Sequence, residues 1–430
     1  MTDTIFAMSS GALPAAIAII RISGSRAITT LERLAGSVPA LRRFSHRTLK
    51  TQDGRLLDRA LVVAFRAPDT ATGEDVAELH VHGGRAVVAA IMAELATMSE
   101  LRAADAGEFT RRAFLNSRID LGQAEALSDL LVAETEWQRR AAAEMAGGRF
   151  ARQVEEWRER LLVTSAAIEA ELDFSDEGDV EAHYTADALA PPAAAMALGA
   201  DIRTHLAQPC AERLRNGVRV VLAGPPNSGK SSLFNALVAR DAAIVSDIPG
   251  TTRDVIEAPL AWNGIAFVLS DTAGLRQATD DMVETVGVKR ACDAIERSDI
   301  LLWLGEENHG PKHPRLIEID AKADLGRAGK TAAGLAVSAH TGSGLARLIA
   351  RMVDEAERIL PAPDAYALNQ RQRTALAKAA IALEALGSLA DPLLQAEQLR
   401  YARSAFDELT GRTHTEDMLD HIFNGFCIGK

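Results

Sequence analysis

Short apolar runs separated by turn residues open the chain. Ala15 to Ile22 and Leu61 to Phe65 read as strands and Ala86 to Met98 as a helix, so the stretch from Met1 to about Asn116 is expected to be a small α+β domain. From about Asp120 to Glu212 glycines thin out, charges alternate through Gln138 to Arg160, and Leu127, Leu130 and Leu131 fall at helical spacing. Helices of this length with one apolar face need a partner to pack against. At Gly217 the texture changes: Val218 to Ala223 is a buried-strand pattern entering a glycine-rich turn, and strand and helix patterns then alternate to about Ala350, as in an α/β domain. Beyond Pro361 and Pro363, Leu376, Ala380, Leu383 and Leu386 restore a helical stripe; Asp391 before Pro392 reads as a helix start and Gly411 as a stop. The two helical stretches flank the α/β unit, so we expect one discontinuous bundle with a domain inserted into it. The divisions fall at residues 1–118, 119–215, 216–355 and 356–430.

Composition narrows the field. A chain of 430 residues that is 47% hydrophobic and 25% charged has ample material for several cores. Its 47 Lys and Arg stand against 59 Asp and Glu, a formal charge of -12, which excludes a broad basic surface gripping a nucleic acid backbone unaided. Cys210, Cys292 and Cys427 are too few and too scattered for a disulfide framework or a clustered metal site, so a reducing cytoplasm is the expected compartment. The early apolar run Leu13 to Ile20 is too short to span a bilayer and lacks the basic start of a secretion signal, so no membrane association is expected.

The chemistry begins at Gly224-Pro-Pro-Asn-Ser-Gly229-Lys230-Ser231, which fits GxxxxGK[ST] directly after an apolar strand and opens a helix expected to begin near Ser232. Glycines let backbone N–H groups curl around phosphate oxygens, the helix N-terminus adds positive potential, and Lys230 reaches the outer phosphates. Asn227, Ser228, Gly229, Lys230, Ser231 and Ser232 are therefore the expected nucleotide contacts, with Ser231 placed to bind Mg²⁺. Phe267 to Ser270 is a second apolar strand ending in Asp271-Thr272-Ala273-Gly274, a carboxylate for the metal's outer shell and a glycine where a terminal phosphate is sensed. Between them, Pro249-Gly-Thr-Thr-Arg-Asp254 leads through Val255 to Ala261 and an Asn263-Gly264 turn into a hairpin, and Thr252 or Thr251 can reach Mg²⁺.

Ala321-Lys322-Ala323-Asp324 and Ser338-Ala339-His340, each after a short apolar strand, resemble the two base-recognition elements of regulatory GTPases. A carboxylate facing a purine accepts two hydrogen bonds from the N1–H and 2-amino groups of guanine, a pair adenine lacks, so Asp324 points to GTP. Ala321 stands where such elements usually carry Asn, which should loosen the nucleotide without changing its identity. Leu275 follows Gly274 where many such enzymes carry the Gln that orients the attacking water. Glu284 is the candidate base in its place, against the alternative of a solvated surface glutamate.

Taken together the strings resemble the MnmE (TrmE) family of tRNA modification GTPases over nearly the whole chain. They are Asp3-Thr-Ile, Arg21-Ile-Ser-Gly24, Glu74-Asp75 through Glu78 to His82-Gly-Gly84, Gly107-Glu-Phe-Thr110, Ala113-Phe-Leu-Asn116, Gln123-Ala-Glu-Ala126, Leu172-Asp-Phe-Ser175, the Gly-Thr-Thr-Arg-Asp switch and the terminal Cys427-Ile-Gly-Lys430. The resemblance implies a dimerising N-terminal domain that binds a formyl-tetrahydrofolate, a helical domain split by an inserted G domain, and GTP hydrolysis switched on when the two G domains of a homodimer meet across K⁺. It places K⁺ at Asn227, Ser246, Ile248 and Thr251, adds Asp247 to the nucleotide contacts, and carries the folate positions onto Arg21, Glu78, Arg118 and Lys430. The implied partners are the flavoprotein MnmG, in a heterotetramer, and tRNA, whose wobble uridine receives a carboxymethylaminomethyl or aminomethyl group at C5.

The residues leave other readings open. Glu78, His80 and His82 share one face of their strand, which is equally the pattern of a solvated face or of a metal site. Arg118 replaces the family's usual Lys, keeping charge and changing geometry. Ser9-Ser-Gly-Ala-Leu-Pro14 departs from the family's Pro-Pro-Gly-x-Gly segment beside the folate pocket. Cys427 reads as a buried structural cysteine or as a thiol near the one-carbon donor. The rival function is a GTP-controlled RNA or ribosome-assembly switch without modification chemistry, which a basic domain after the G domain would favour.

Overall fold

A computed structural model describes residues 3–173, 190–240, 257–271, 292–326, 330, 335–362, 365–413 and 416–429. Its contacts divide the chain into two units, Met1–Ser128 with Phe406–Lys430, and Asp129–Ala405.

Period-two alternation builds the first unit's sheet. Its strands are β1 (Thr4–Met8), β2 (Ile17–Ser23), β3 (Ser45–Lys50), β4 (Leu56–Phe65), β5 (Val76–His82) and β6 (Leu101–Ala103), in the order β3-β4-β5-β2-β1-β6, antiparallel except for the parallel pair β1–β6. Ala18, Ile20 and Ile22 of β2, with Leu79 and Val81 of β5, turn to one face, where α1 (Ala27–Ala35) and α2 (Arg85–Ala96) cover them through Leu31, Leu34, Ile91 and Leu95. Each such fully buried aliphatic side chain contributes about 1.5–3 kcal/mol. The alternate residues Arg21, Glu78 and His80 are turned to the other face. After α3 (Glu108–Leu115) and the start of α4 (Leu121–Val132), the unit is completed by the last helix, Glu416–Phe423, through Phe114, Leu121, Leu419, Phe423 and Phe426. Gly107 takes φ 66°, and a Cβ there would fall 2.4 Å from the Phe423 carbonyl oxygen, so the close approach requires glycine. The chain end returns to the first strands: Ser9 Oγ donates to the Gly429 carbonyl at 2.8 Å, and Ala106 pairs with Ile428.

In the second unit, α5 (Glu136–Ala146) starts from a capping box in which Thr135 and Gln138 satisfy each other's backbone N–H groups. Long α6 (Arg149–Asp173) buries Trp157 completely, and its indole N–H donates to Asp201 at 3.0 Å. Helix α7 (Pro191–Leu206), alanine-rich in its first half, is followed by α8 (Glu212–Asn216). Then come β7 (Val218–Ala223), α9 (Lys230–Arg240), β8 (Glu257–Trp262), β9 (Ile265–Asp271), β10 (Ile300–Trp303), β11 (Leu316–Glu318), β12 (Asp320–Ala321), β13 (Ala336–Val337), α10 (Leu345–Glu357), α11 (Gln370–Ala385) and α12 (Pro392–Thr410). The five-stranded sheet runs β11-β10-β7-β9-β8 and is parallel except for the hairpin β8–β9, whose Asn263-Gly264 turn has both φ values positive, at 50° and 78°.

Helices from the two sides of the α/β insertion meet. Helix α7 packs on both α6 and α11, and Gly199 allows the approach, since a Cβ there would lie 3.3 Å from Leu383 Cβ. Asp391 Oδ1 accepts the Leu393 N–H at 2.9 Å at the start of α12, and Gly411 follows its last residue at φ 77°. Among the described residues no helix is long and apolar enough to cross a membrane. Cys210, Cys292 and Cys427 are free, and Cys427 is exposed rather than buried.

Candidate nucleotide site

Strand β7 delivers the chain to a loop that only positive backbone angles can close: Gly224 at φ 152°, Asn227 at 59° and Gly229 at 100°. Helix α9 begins already at Lys230, so the amine's own residue is the first of the helix. Lys230 is 6% exposed, and its Nζ donates to the carbonyls of Gly224 at 3.0 Å and Pro225 at 2.8 Å, from inside the loop. The neighbouring Ser231 hydroxyl donates to Asp271 Oδ2 at 2.7 Å. Asp271 is 3% exposed and ends β9, which the parallel register sets beside β7 with Leu222 opposite Asp271.

A hydroxyl and a carboxylate oxygen this close, beside a helix N-terminus, are the hard donors that Mg²⁺ takes. Ser228 Oγ is buried and has no hydrogen-bond partner among the described residues. That group suits a phosphate oxygen arriving in the loop.

The parallel pairing of β12 with β13, Asp320 opposite Ala336 and Ala321 opposite Val337, brings Ala321-Lys322-Ala323-Asp324 against Ser338-Ala339-His340. A cavity of about 240 Å³ opens there, lined among others by Gly229, Ser232, Ala321, Asp324, Ala339 and His340. Lys322 adopts φ 63° and donates its Nζ to the Asn227 carbonyl at 2.7 Å, latching this cavity to the phosphate loop. A hydrogen bond from the Ser338 hydroxyl, then the backbone at Asp324, holds the Asp324 carboxyl below the ordinary carboxylate range. It is an ionised acceptor at neutral pH.

The expected nucleotide residues Asn227, Ser228, Gly229, Lys230, Ser231, Ser232, Asp271, Lys322, Asp324, Ser338 and Ala339 thus line one loop and its adjoining cavity. Ser246, Asp247, Ile248, Thr251, Thr252, Thr272, Ala273, Gly274, Glu284 and Lys430 lie outside the described residues.

On the open face of the first sheet, Arg21 stands opposite Glu78 in register, and the pair bonds at 2.9 Å. Glu78 also meets His80 at 3.4 Å, Phe44 packs edge-on against that imidazole at 5.0 Å, and Arg21 lies over the Phe109 ring at 5.7 Å. His82 is engaged elsewhere, with Asp58 at 2.8 Å. The metal reading of Glu78, His80 and His82 is corrected accordingly: among the described residues no group of three His, Cys, Asp or Glu is placed to hold a metal. Arg118 pairs with Asp69 at 3.6 Å.

Sequence reasoning passed over Arg112, which is fully buried. Its guanidinium donates to the Asp3 carbonyl at 3.0 Å and to the carboxylates of Asp3, Glu74 and Glu108 at 3.0–3.1 Å. Arg102 grips Glu108 through both terminal nitrogens, at 2.8 and 2.6 Å. The legible signal was Glu108 and Arg112 at i, i+4 on a short helix.

Residues 121–427 match the family model described as "MnmE helical domain", and residues 4–118 match "GTP-binding protein TrmE N-terminus". The chain belongs to the MnmE (TrmE) family. It is 53% identical over 431 residues to the tRNA modification GTPase MnmE of Erythrobacter litoralis, with both chains covered completely. The MnmE protein of Novosphingobium aromaticivorans is 52% identical over 437 residues, again across 100% of both chains. That of Zymomonas mobilis is 47% identical over 445 residues, covering 99% of this chain and 100% of that protein. The expected MnmE fold class, an α+β N-terminal part, a discontinuous helical part and an inserted α/β P-loop part, is the fold described above.

Proposed function

We propose that this MnmE-family chain hydrolyses GTP in the service of tRNA modification, with its phosphate chemistry at Lys230, Ser231 and Asp271. The supporting observation is the Ser231 hydroxyl 2.7 Å from a buried Asp271 carboxylate, next to a buried Lys230. When bound there, Mg²⁺ supplies positive charge to the outer phosphates. Ser231 would hold that ion through its hydroxyl, and Asp271, which now accepts from Ser231, would orient the ligands around it. Lys230 exchanges the Gly224 and Pro225 carbonyls for phosphate oxygens and stabilises charge that develops as the terminal phosphoryl leaves. Asp324 accepts the donor edge of guanine.

The finer reading extends to residues outside the described set. Thr252 completes the Mg²⁺ ligands; Asn227, with Ser246, Ile248 and Thr251, holds K⁺ where other enzymes place an arginine; Glu284 orients the attacking water. Hydrolysis is then confined to the state in which the G domains of a homodimer meet. On the first sheet, the opposed charges of Arg21 and Glu78, with Arg118 and Lys430, hold a formyl-tetrahydrofolate that supplies the one-carbon unit. MnmG and tRNA are the cytoplasmic partners, and residues 1–118, 119–215, 216–355 and 356–430 are the functional divisions.

Mass analysis of wobble uridines tests the reading. Cells lacking this protein should lose the C5 aminomethyl-type group, the wild-type chain should restore it, and Lys230→Ala should not. Uridines unchanged by the deletion would overturn the modification role in favour of a GTP-controlled RNA or ribosome-assembly switch.

A further inference from the structure

The last described residues are held to the first unit with little help from apolar packing. Phe426 is buried, but Cys427 and Ile428 both lie exposed, so apolar burial stops at Phe426. Two ties to the main chain take over. Ile428 pairs with Ala106 in an antiparallel bridge just ahead of α3, and the Gly429 carbonyl accepts the Ser9 hydroxyl at 2.8 Å just after β1. Gly429 is itself buried and takes φ 96°; a Cβ there would run into the Met8 carbonyl, so the segment lies flush on the end of β1. Ser9 is fixed in its turn, because its N–H donates to the Ile19 carbonyl at 2.8 Å and the Ile19 N–H donates to Ser10 Oγ at 3.1 Å. Among the described residues, the Ser9 hydroxyl makes the one side-chain hydrogen bond to residues 427–429.

This anchor borders the open face of the first sheet. Ala7, Arg21 and Glu78 lie opposite one another across β1, β2 and β5, and Met8 and Ser9 are the next residues along the chain from Ala7. Phe109, whose ring Arg21 covers at 5.7 Å, follows Ala106 closely at the start of α3, so the second tie borders the same face. A half-buried guanidinium and carboxylate beside aromatic rings suit a flat heteroaromatic ligand that carries both donors and acceptors. We propose that Ser9 is a positioning residue: its hydroxyl sets the terminal segment against the Arg21–Glu78 face, and the folate site is complete only while that bond holds. The inference rests on the folate reading above, in which Lys430, joined directly to Gly429, takes part. Without the bond the segment keeps the Ala106 bridge alone, spends more time away from the face, and must be ordered by the ligand on binding.

The test is hydrogen exchange of the C-terminal peptide, residues 424–430, together with calorimetric titration of 5-formyl-tetrahydrofolate, both on the full chain. Ser9→Ala should raise exchange in that peptide about fivefold and weaken the folate about fivefold, the worth of one hydrogen bond, with exchange in β4 and β5 unchanged. Ser9→Thr, which keeps the hydroxyl, should restore both. Deleting residues 427–430 should weaken the folate at least as much, and adding Ser9→Ala to the deletion should cost nothing further, since the serine acts only through the segment. A Ser9→Ala chain that exchanges like the unaltered one, or that frees the segment yet binds the folate equally well, would overturn the inference. So would a Ser9→Ala loss of undiminished size in the deleted chain. An unaltered chain that binds no folate would bring down the folate reading itself and this inference with it.

Discussion

Arg112 in the first unit and Lys230 in the second are both buried cations, and the two are answered differently. Arg112, fully buried in the first unit, is answered by carboxylates of Asp3, Glu74 and Glu108, drawn from the chain's start, the approach to β5 and its own helix. Lys230, 6% exposed in the second, is held by the main-chain carbonyls of Gly224 and Pro225 within its own loop. Carboxylates neutralise a guanidinium and fix its planar geometry, so the Arg112 site is closed by charge and by shape. Carbonyls hold an ammonium by their dipoles, and a phosphate oxygen, which carries full charge, displaces them. The first arrangement is architecture; the second awaits a ligand.

The sharpest way to break this contrast is to remove each cation in turn. Arg112→Met would leave the surrounding carboxylates uncompensated in a buried place, and the first unit should lose about 3–5 kcal/mol of stability by urea unfolding. GTP turnover per folded molecule should remain within about twofold, because the residue touches no phosphate-loop group. Lys230→Ala should do the converse. Its turnover should fall about 100- to 1,000-fold, the scale of losing one preorganised charge, with the first unit's unfolding midpoint unmoved.

Acid sharpens the contrast at smaller cost. Burial pushes the Glu108 carboxyl up, but hydrogen bonds from Arg102, the Asp105 N–H and Arg112 outweigh it and hold the carboxyl below its ordinary value. A folded pKa lowered in this way contributes stability that is present above the unfolded carboxylate range and is lost as pH falls through the folded value. The first unit's urea midpoint should therefore stay level from pH about 7 to 5 and decline below about 4, and Glu108→Gln should flatten that decline. The smallest effect belongs to Asp324→Asn. GTP affinity should drop about tenfold in titration while xanthosine triphosphate gains, since the exposed base end carries identity rather than the main hold on the nucleotide.

Local pattern made much of this visible in advance. Val218 to Ala223 is a strand with the boundaries its apolar run implied, the Asn263-Gly264 turn closes a hairpin, and Gly224 to Ser231 wraps as its glycines and lysine require. These features are written in neighbouring residues, where period and turn chemistry act. For Arg112 only the spacing to Glu108 was legible; Asp3 and Glu74 lie far along the chain, and no spacing rule joins them to it. The Lys322 latch on Asn227 was hidden for the same reason, since it exists only once β12 pairs with β13. The start of α9 was placed two residues late because the loop and the helix share Lys230. On the first sheet, alternation alone put Glu78, His80 and His82 on one face of their strand, but the pairing of Arg21 with Glu78 and the turning of His82 to Asp58 required the fold.

The role of the Lys230 loop is tested most directly by steady-state GTP hydrolysis of the full chain in KCl and in NaCl at matched ionic strength. Turnover should be about tenfold or more faster in KCl, the expected effect of a fixed cation beside the transferring phosphoryl group. Equal rates in the two salts would contradict it.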